Sequence, residues 1–276
     1  MTAALRPPFA YFGGKTSIAE QIAALLPPHA HYVEPFAGSL AVLLAKVPSR
    51  METASDLDSR LMTFWRVLRE QPDTLVRACA LTPHSRAEQA LSQDLDGCDD
   101  LELARRVWVR LSQSRTGTLR NTGWRHFVDP SGGFTGMPGY LSGYVDRMAA
   151  AAERLHRVSL ENRPALDLVE AYGAHPEVLL YADPPYLAET RFGRNYACEM
   201  TGENEHRELA EALTSCAAAV VLSGYDSPLY DVLYDGWDRH EIKASTTQGG
   251  THGRRIEVLW SNRLLGRQHG LFEVVA

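Results

Sequence analysis

The apolar run Val178-Leu179-Leu180-Tyr181-Ala182 breaks off at Asp183-Pro184-Pro185-Tyr186, and that junction constrains this chain more than any other stretch. A short β-rich run that ends at two prolines reads as a buried strand running into an exposed turn. In open α/β sheets the carboxyl ends of strands are where ligands bind. Placed there, the Asp183 carboxylate and the Pro184 carbonyl can accept both hydrogens of a planar amino group. The Tyr186 ring can stack on the heterocycle that carries the amine. This set suits methylation of an exocyclic amine on a nucleobase, although the tetrapeptide alone fits a plain strand-ending turn as well.

The order of elements supports an α/β fold. A helix is expected from Ser17, where Ser17-Ile18-Ala19-Glu20 spells a capping box, to the stop at Pro27-Pro28. A strand follows at 31–34, then the turn Pro35-Phe36-Ala37-Gly38, a helix from Ser39 to Leu44, and a strand at 51–55 ending at Asp56-Leu57-Asp58. Strand, Gly turn, helix, strand, acid is the outline of a nucleotide-type binding half. Helical spacing then takes over, at 61–68 and again at 101–111, with short polar connections between. Residues 112–138 are loop-like, and 140–157 reads as one amphipathic helix. The α/β rhythm resumes with strands at 158–160, 178–182 and 219–222, and helices at 165–172 and from a Thr201 cap to about 216. The last two strands, 237–244 and 256–260, are close enough in sequence to pair antiparallel.

At 276 residues and 45% apolar content the chain suits one large α/β domain, or one carrying a sizeable insertion. No stretch approaches the length of a membrane span, and the N-terminus has no apolar signal region, so a cytoplasmic location is expected. Cys79, Cys98, Cys198 and Cys216 are scattered without metal-type spacing and read as reduced bystanders. The net charge of −6 speaks against nucleic-acid binding as the whole business of the protein. Charge is uneven, however. No acidic residue occurs in 103–128, where Arg105, Arg106, Arg110, Arg115, Arg120 and Arg125 all fall. A charge run is usually a solvated helix face. Here Gly117, Asn121, Gly123 and Trp124 are interleaved with the arginines, a mixture better suited to gripping phosphates and reading base edges.

Two more segments fall where cofactor chemistry needs them. Tyr11-Phe12-Gly13-Gly14-Lys15 precedes a helix, with glycines for close backbone approach and a cation. Gly14-Lys15-Thr16 matches the end of a phosphate-binding P-loop, but that motif needs glycine where Phe9 stands and a strand before it. Glu34-Pro35-Phe36-Ala37-Gly38 is a strand-to-helix turn over which a nucleoside could lie, and Asp56 could accept hydrogen bonds from two ribose hydroxyls.

Taken in this order, Tyr11–Lys15, Val33–Val42, Asp56 and Asp183–Tyr186 resemble the motifs of the Dam-like, D12-class family of S-adenosylmethionine-dependent DNA adenine-N6 methyltransferases, phage and prophage members especially. The segments 221–227 and 257–260 also fit, so the resemblance spans nearly the whole chain. It implies a Rossmann-like sheet of seven strands with an antiparallel last hairpin. Residues 1–59 and 158–276 would form the catalytic, cofactor-binding domain, and 60–157 a helical target-recognition insertion. It implies S-adenosylmethionine as methyl donor, S-adenosylhomocysteine as product, double-stranded DNA as partner, no metal and no membrane. The setting implied is the cytoplasm of a bacterial or phage-infected cell, with a cognate restriction nuclease left open.

By the same resemblance Tyr11, Gly14, Lys15, Phe36, Gly38, Asp56 and Asp183 bind cofactor. Asp183, Pro184, Pro185 and Tyr186 carry catalysis on a flipped-out adenine. Arg115, Arg120, Asn121, Trp124 and Arg125 are candidates for target recognition, and Arg191 and Arg194 for holding phosphates beside the base. Two positions depart from the family pattern. Leu40 stands where motif I often has its second glycine, and Pro164 stands where an acid is common, with Asp167 as a substitute or a plain exposed helix residue. Alternatives remain. The same chemistry could act on RNA adenine, cytosine N4 or a glutamine amide, though Asp183 favours adenine. A silent DNA-binding regulator with the same fold is the rival from another class.

Overall fold

The computed structural model describes residues 4–128, 136–187, 200, 202–245 and 254–266. Among these, one sheet contains β1 (His31–Glu34), β2 (Met51–Ser55), β3 (Val158–Glu161), β4 (Val178–Ala182), β5 (Ala219–Gly224), β6 (Asp238–Ser245) and β7 (Arg254–Ser261), in the spatial order β3-β2-β1-β4-β5-β7-β6. Pairings from β3 through β5 are parallel, while β7 runs antiparallel to both β5 and β6. Strand order reverses between the neighbours β1 and β4. A crevice opens at the carboxyl ends of such a pair, because the helices that follow them leave on opposite faces.

The strand residues are apolar at successive positions because both faces are covered. Tyr32, Leu179, Tyr181 and Val221 point into one cluster, while Val33, Leu180, Ala182, Val220 and Leu222 point into the other. The first cluster is closed by α1 (Ala19–Leu25), α2 (Ala41–Ala45), α3 (Ser59–Glu70), α4 (Pro72–Leu81), α6 (Asp100–Gln113), α7 (Gly136–Val145) and α8 (Met148–Leu155), with α5 (Arg86–Leu91) resting on α6. The second is closed by α9 (Ala165–Tyr172), α10 (Glu203–Thr214) and α11 (Pro228–Leu233). Elements α3 to α8 all fall between β2 and β3, and most of them share a core with the sheet face bearing Tyr32 and Tyr181. Phe64, Trp65 and Trp108 are fully buried there, each aromatic side chain contributing about 1.5–3 kcal/mol by area. Among the described residues no helix is long and apolar enough to cross a membrane. Cys79, Cys98 and Cys216 are free thiols; Cys198 lies outside the described residues.

Several local expectations are corrected. The capping box at Ser17 does not form: α1 starts at Ala19 behind Ile18, with no side-chain cap. A turn closed by the Ile18 amide on the Lys15 carbonyl (2.9 Å) takes the chain into the helix instead, and buries Ile18. Helix α2 starts at Ala41 rather than Ser39 because Leu40 is left-handed, with φ 54° and ψ 28°. This is the position where the motif it resembles often has its second glycine. A left-handed leucine costs about 1–2 kcal/mol. Complete burial of its side chain offsets that cost.

The polar connection expected between residues 68 and 101 contains α4 and α5, and α11 was not anticipated either. The helix expected over 140–157 is two helices, α7 and α8. The break at Asp146-Arg147 turns the chain through an Arg147 amide bond to the Tyr144 carbonyl (3.2 Å), and the Arg147 guanidinium then reaches the Pro7 carbonyl at 3.1 Å. Helix α10 begins behind Gly202, whose amide donates to Glu205 at 3.0 Å; Thr201 lies outside the described residues.

Candidate functional site

A cavity of about 270 Å³ opens at the β1/β4 crevice. Its walls come from the carboxyl ends of four adjacent parallel strands: Glu34 to Ser39 after β1, Asp56 to Asp58 after β2, Pro164 to Leu166 after β3, and Asp183 and Pro185 after β4. The turn before α1 supplies Tyr11 to Lys15, and α10 supplies Glu205, Glu208 and Leu209. Of the residues expected to bind cofactor, Tyr11, Gly14, Lys15, Phe36, Gly38, Asp56 and Asp183 all line this one space.

The turn after β1 is held open by backbone chemistry. Gly38 has φ 47°, and a Cβ there would stand 3.0 Å from the Tyr11 ring. Its amide donates to Asp56 Oδ2 at 2.9 Å, while Asp56 Oδ1 accepts from the Asp58 amide at 2.9 Å. With the Leu57 amide also bonded to it, the carboxylate keeps acceptor capacity for a ligand hydroxyl. Desolvation pushes the Asp56 carboxyl up to about 6, with the Asp58, Gly38 and Leu57 backbone amides opposing it. Phe36, Leu57, Pro164 and Leu166 add apolar wall beside this acid, and Leu57 is 51% exposed. A half-buried carboxylate with spare lone pairs next to an apolar slot fits the ribose and base of a nucleoside, so the residues present suit S-adenosylmethionine. Leu57 and Glu34 were not singled out from sequence as site residues. Glu34 is the last residue of β1 and Asp183 directly follows β4, and an acid at each of these neighbouring strand ends was its signal. Its Oε2 accepts the Tyr32 hydroxyl at 2.9 Å, and burial pushes its carboxyl up to about 8.

The other end of the cavity is a charged cluster. Lys15 Nζ donates to both Asp183 oxygens at 2.6 and 2.7 Å, to the Tyr186 hydroxyl at 2.5 Å and to the Gly13 carbonyl at 2.9 Å. Lys15 is 4% exposed, whereas the Asp183 side chain keeps 19%. Burial pushes the Asp183 carboxyl up to about 6; Lys15 pulls it down and Glu257 pushes it further up. Tyr186 is buried, and its ring stacks on Tyr225 at 4.3 Å. Tyr186 and Pro184 do not line the cavity, while Pro185 does.

The expected recognition residues separate into two groups. Residues 113–125 form a small hairpin, closed by the Arg125 amide on the Gln113 carbonyl (2.8 Å) and the Arg115 amide on the Gly123 carbonyl (3.0 Å). Arg115, Arg120 and Asn121 are exposed on it. Trp124 and Arg125 instead pack at its base. The Trp124 ring stacks on His84 at 4.3 Å under the Arg86 guanidinium, and Arg125 lies over the Tyr140 ring. Arg191 and Arg194 lie outside the described residues. Arg105 and Arg106 are tied to Glu88 and Glu102, so that part of the arginine run is an ion-paired helix surface. Asp167 is half-exposed, 3.7 Å from Arg163, and does not line the cavity.

The hairpin is pinned to the cavity wall. The Phe12 amide donates to the Gly117 carbonyl at 2.6 Å, and a Cβ on Gly117 would stand 2.5 Å from the Ala10 carbonyl oxygen. Gly117→Ala must therefore displace backbone, with an expected cost of about 1–3 kcal/mol. A thermal melt reads this as a loss of several degrees, and an unchanged melting temperature would show that the hairpin does not rest on this contact.

Comparison with known proteins follows the same line. Residues 11–94 and 146–248 match the family described as D12 class N6 adenine-specific DNA methyltransferase. Over 279 aligned residues the chain is 26% identical to Type II methyltransferase M1.LlaDCHI of Lactococcus lactis subsp. cremoris, covering 94% of this chain and 95% of that one. Among solved structures it is similar to the rRNA methyltransferase aviRa from Streptomyces viridochromogenes (TM-score 0.37, 16% identity, 88% of this chain and 82% of that one). It is also similar to a SAM-dependent methyltransferase from Agrobacterium tumefaciens (TM-score 0.36, 10% identity, 91% of this chain and 60% of that one). Likeness of that degree says nothing about substrate. The family match, however, takes in well over half of the residues, the cavity-lining turns among them, and the chain belongs to the D12 class of N6 adenine-specific DNA methyltransferases.

Proposed function

We propose that the protein methylates N6 of an adenine turned out of duplex DNA, at a defined sequence, with Asp183 as the group that engages the amine. The observation that carries this reading is the position of Asp183: partly exposed, at the carboxyl end of β4, in the same cavity as the nucleoside-suited turn at Gly38 and Asp56. S-adenosylmethionine, when bound, supplies a methyl group made electrophilic by its positive sulfur. The Asp56 carboxylate, the Gly38 turn, Phe36 and the Tyr11–Lys15 turn are the residues that would hold it.

Asp183 accepts one amine hydrogen and the Pro184 carbonyl the other, drawing the nitrogen's lone pair out of conjugation with the ring. With its carboxyl raised to about 6, Asp183 is basic enough to hold the proton that the amine gives up, and exposed enough to release it to solvent. Lys15 keeps that carboxylate in one orientation through both oxygens. Tyr186, buried behind the cavity wall with its ring stacked on Tyr225, steadies the Lys15–Asp183 pair through its hydroxyl. The base must leave the duplex, because a paired adenine cannot present its amine to a recessed acid. On this reading residues 60–157 carry target recognition, and Arg115, Arg120 and Asn121 face the DNA. Residues 1–59 and 158–276 form the catalytic body.

The test is transfer of a labelled methyl group from S-adenosylmethionine to duplex DNA, followed by digestion to nucleosides. The expected product is N6-methyldeoxyadenosine at one sequence context. Label on cytosine, or on RNA in preference to DNA, would replace this reading.

A further inference from the structure

A second buried carboxylate stands behind Lys15 and Asp183, outside the cavity lining, and the chemistry above leaves it unused. Glu257 lies on β7 opposite Ile242 of β6, next to Val258, which pairs with Gly224 of β5. Its side chain is 4% exposed. Oε1 accepts from the Ser223 hydroxyl at 2.6 Å and lies 3.5 Å from Lys15 Nζ. The Tyr186 hydroxyl reaches its two oxygens at 3.3 and 3.4 Å. One buried lysine therefore faces two carboxylates.

Burying a carboxylate is costly unless its charge is compensated. Lys15 is already matched by Asp183, which it contacts through both oxygens. A glutamine at position 257 could meet the Ser223 and Tyr186 hydroxyls with its amide oxygen, so hydrogen bonding alone does not call for an acid. What only a carboxylate brings is the charge. The other titratable groups facing the cluster do not cancel it. Glu34, facing Asp183 from β1, is held neutral near pH 7, its carboxyl pushed by burial to about 8. Burial likewise pushes the Tyr181 and Tyr230 hydroxyls upward, and Tyr186 serves as a neutral link between Lys15 and Glu257. Among the described residues, one cation and two anions remain.

We propose that Glu257 is the positioning residue that leaves this end of the cavity net negative, so that the protein favours a cationic sulfonium ligand over the uncharged thioether formed from it. The inference rests on reading the cavity as the S-adenosylmethionine site. Donor and product share their nucleoside, amino and carboxylate groups, so those contacts cancel in the ratio of the two affinities. The methyl group and the positive charge it leaves on sulfur do not, and only the charge responds to a neutralised carboxylate. Acting through Lys15 and Asp183, Glu257 thereby biases the site toward the unreacted donor and against its spent form.

The experiment is calorimetric titration of S-adenosylmethionine and S-adenosylhomocysteine into the wild-type protein and Glu257→Gln. A unit charge acting across the cavity corresponds to about a tenfold loss of S-adenosylmethionine affinity in the variant, with S-adenosylhomocysteine within about twofold of wild type. Equal losses for both ligands would make Glu257 merely structural and overturn the proposal, as would no change in either. Wild-type protein that binds neither ligand would remove the cavity assignment itself, a distinct failure. Should Glu257→Gln not fold, the wild-type protein carries the test. Its affinity ratio should decline as pH falls from about 8 to about 5, because the Asp183 carboxylate takes up a proton near 6 and the excess negative charge beside Lys15 is lost. A ratio constant across that range would overturn the proposal.

Discussion

Asp183→Ala is expected to lower the methyl-transfer rate by about a thousandfold or more, while leaving the protein folded and able to hold DNA. The size follows from what the side chain does: it is the acceptor for the amine hydrogen in a partly closed cavity, where an electrostatic contact is not diluted by water. The fold survives because Lys15 is not orphaned. After truncation its ammonium still has the Tyr186 hydroxyl, the Gly13 carbonyl and Glu257 within reach. Single-turnover transfer, a mobility-shift measurement with duplex DNA and a thermal melt separate the three quantities. Turnover retained within about tenfold would remove Asp183 from the chemistry, since loss of one oriented polar contact at a reacting atom costs more than that. In the wild-type protein the same assignment fixes an acid limb. The rate falls as pH drops through about 6, where the Asp183 carboxylate takes up a proton and loses its acceptor strength.

That acid limb could not be anticipated from the chain, although Asp183 itself could. The strands were readable because buried parallel strands are apolar runs, and the turns at their ends are marked by Gly, Pro and acid. The bounds of β1, β2 and β4 agree with the sequence reading residue for residue. Helices α4 and α5 were missed because they bury little: Leu75 and Cys79 in one, only Gln89 in the other. Periodicity cannot show a face that hardly exists. The arginine run misled in part because Glu88, distant in sequence, neutralises Arg105 only once α5 rests on α6. Leu40 illustrates a further limit. Leu40 takes a left-handed backbone that favours glycine, and only the packing shows why a leucine is tolerated there. The environment of Asp183 was hidden for the same reason. Ser223 and Glu257 meet through the β5–β7 pairing, and Lys15, from the other end of the chain, reaches them from the turn before α1.

Lys15→Met is expected to be the most destabilising single substitution in the site. Methionine keeps the length of the side chain and removes its charge, so Asp183 and Glu257 are left in a buried cluster without their cation. Removing one partner from a buried ion pair costs about 3–5 kcal/mol. In a domain of this size that is a melting-temperature loss of about 10 °C. The deficit should depend on pH with a definite sign. Lys15 lowers the Asp183 carboxyl value, so its loss drives that value further above about 6. A carboxyl raised on folding makes the native state hold more protons than the unfolded one between the two values, so stability falls as pH rises through that interval. The variant should accordingly lie close to wild type at about pH 5 and far below it at about pH 8. Thermal melts at both values test this, and a deficit equal at the two would show that Lys15 matters for packing rather than charge. Adding Glu257→Gln to Lys15→Met removes one of the two stranded anions and should restore part of the lost stability without restoring methyl transfer. Two contacting groups are expected to couple in this way. Simple additivity of the two deficits would mean that Glu257 and Lys15 do not share the electrostatic work of the site.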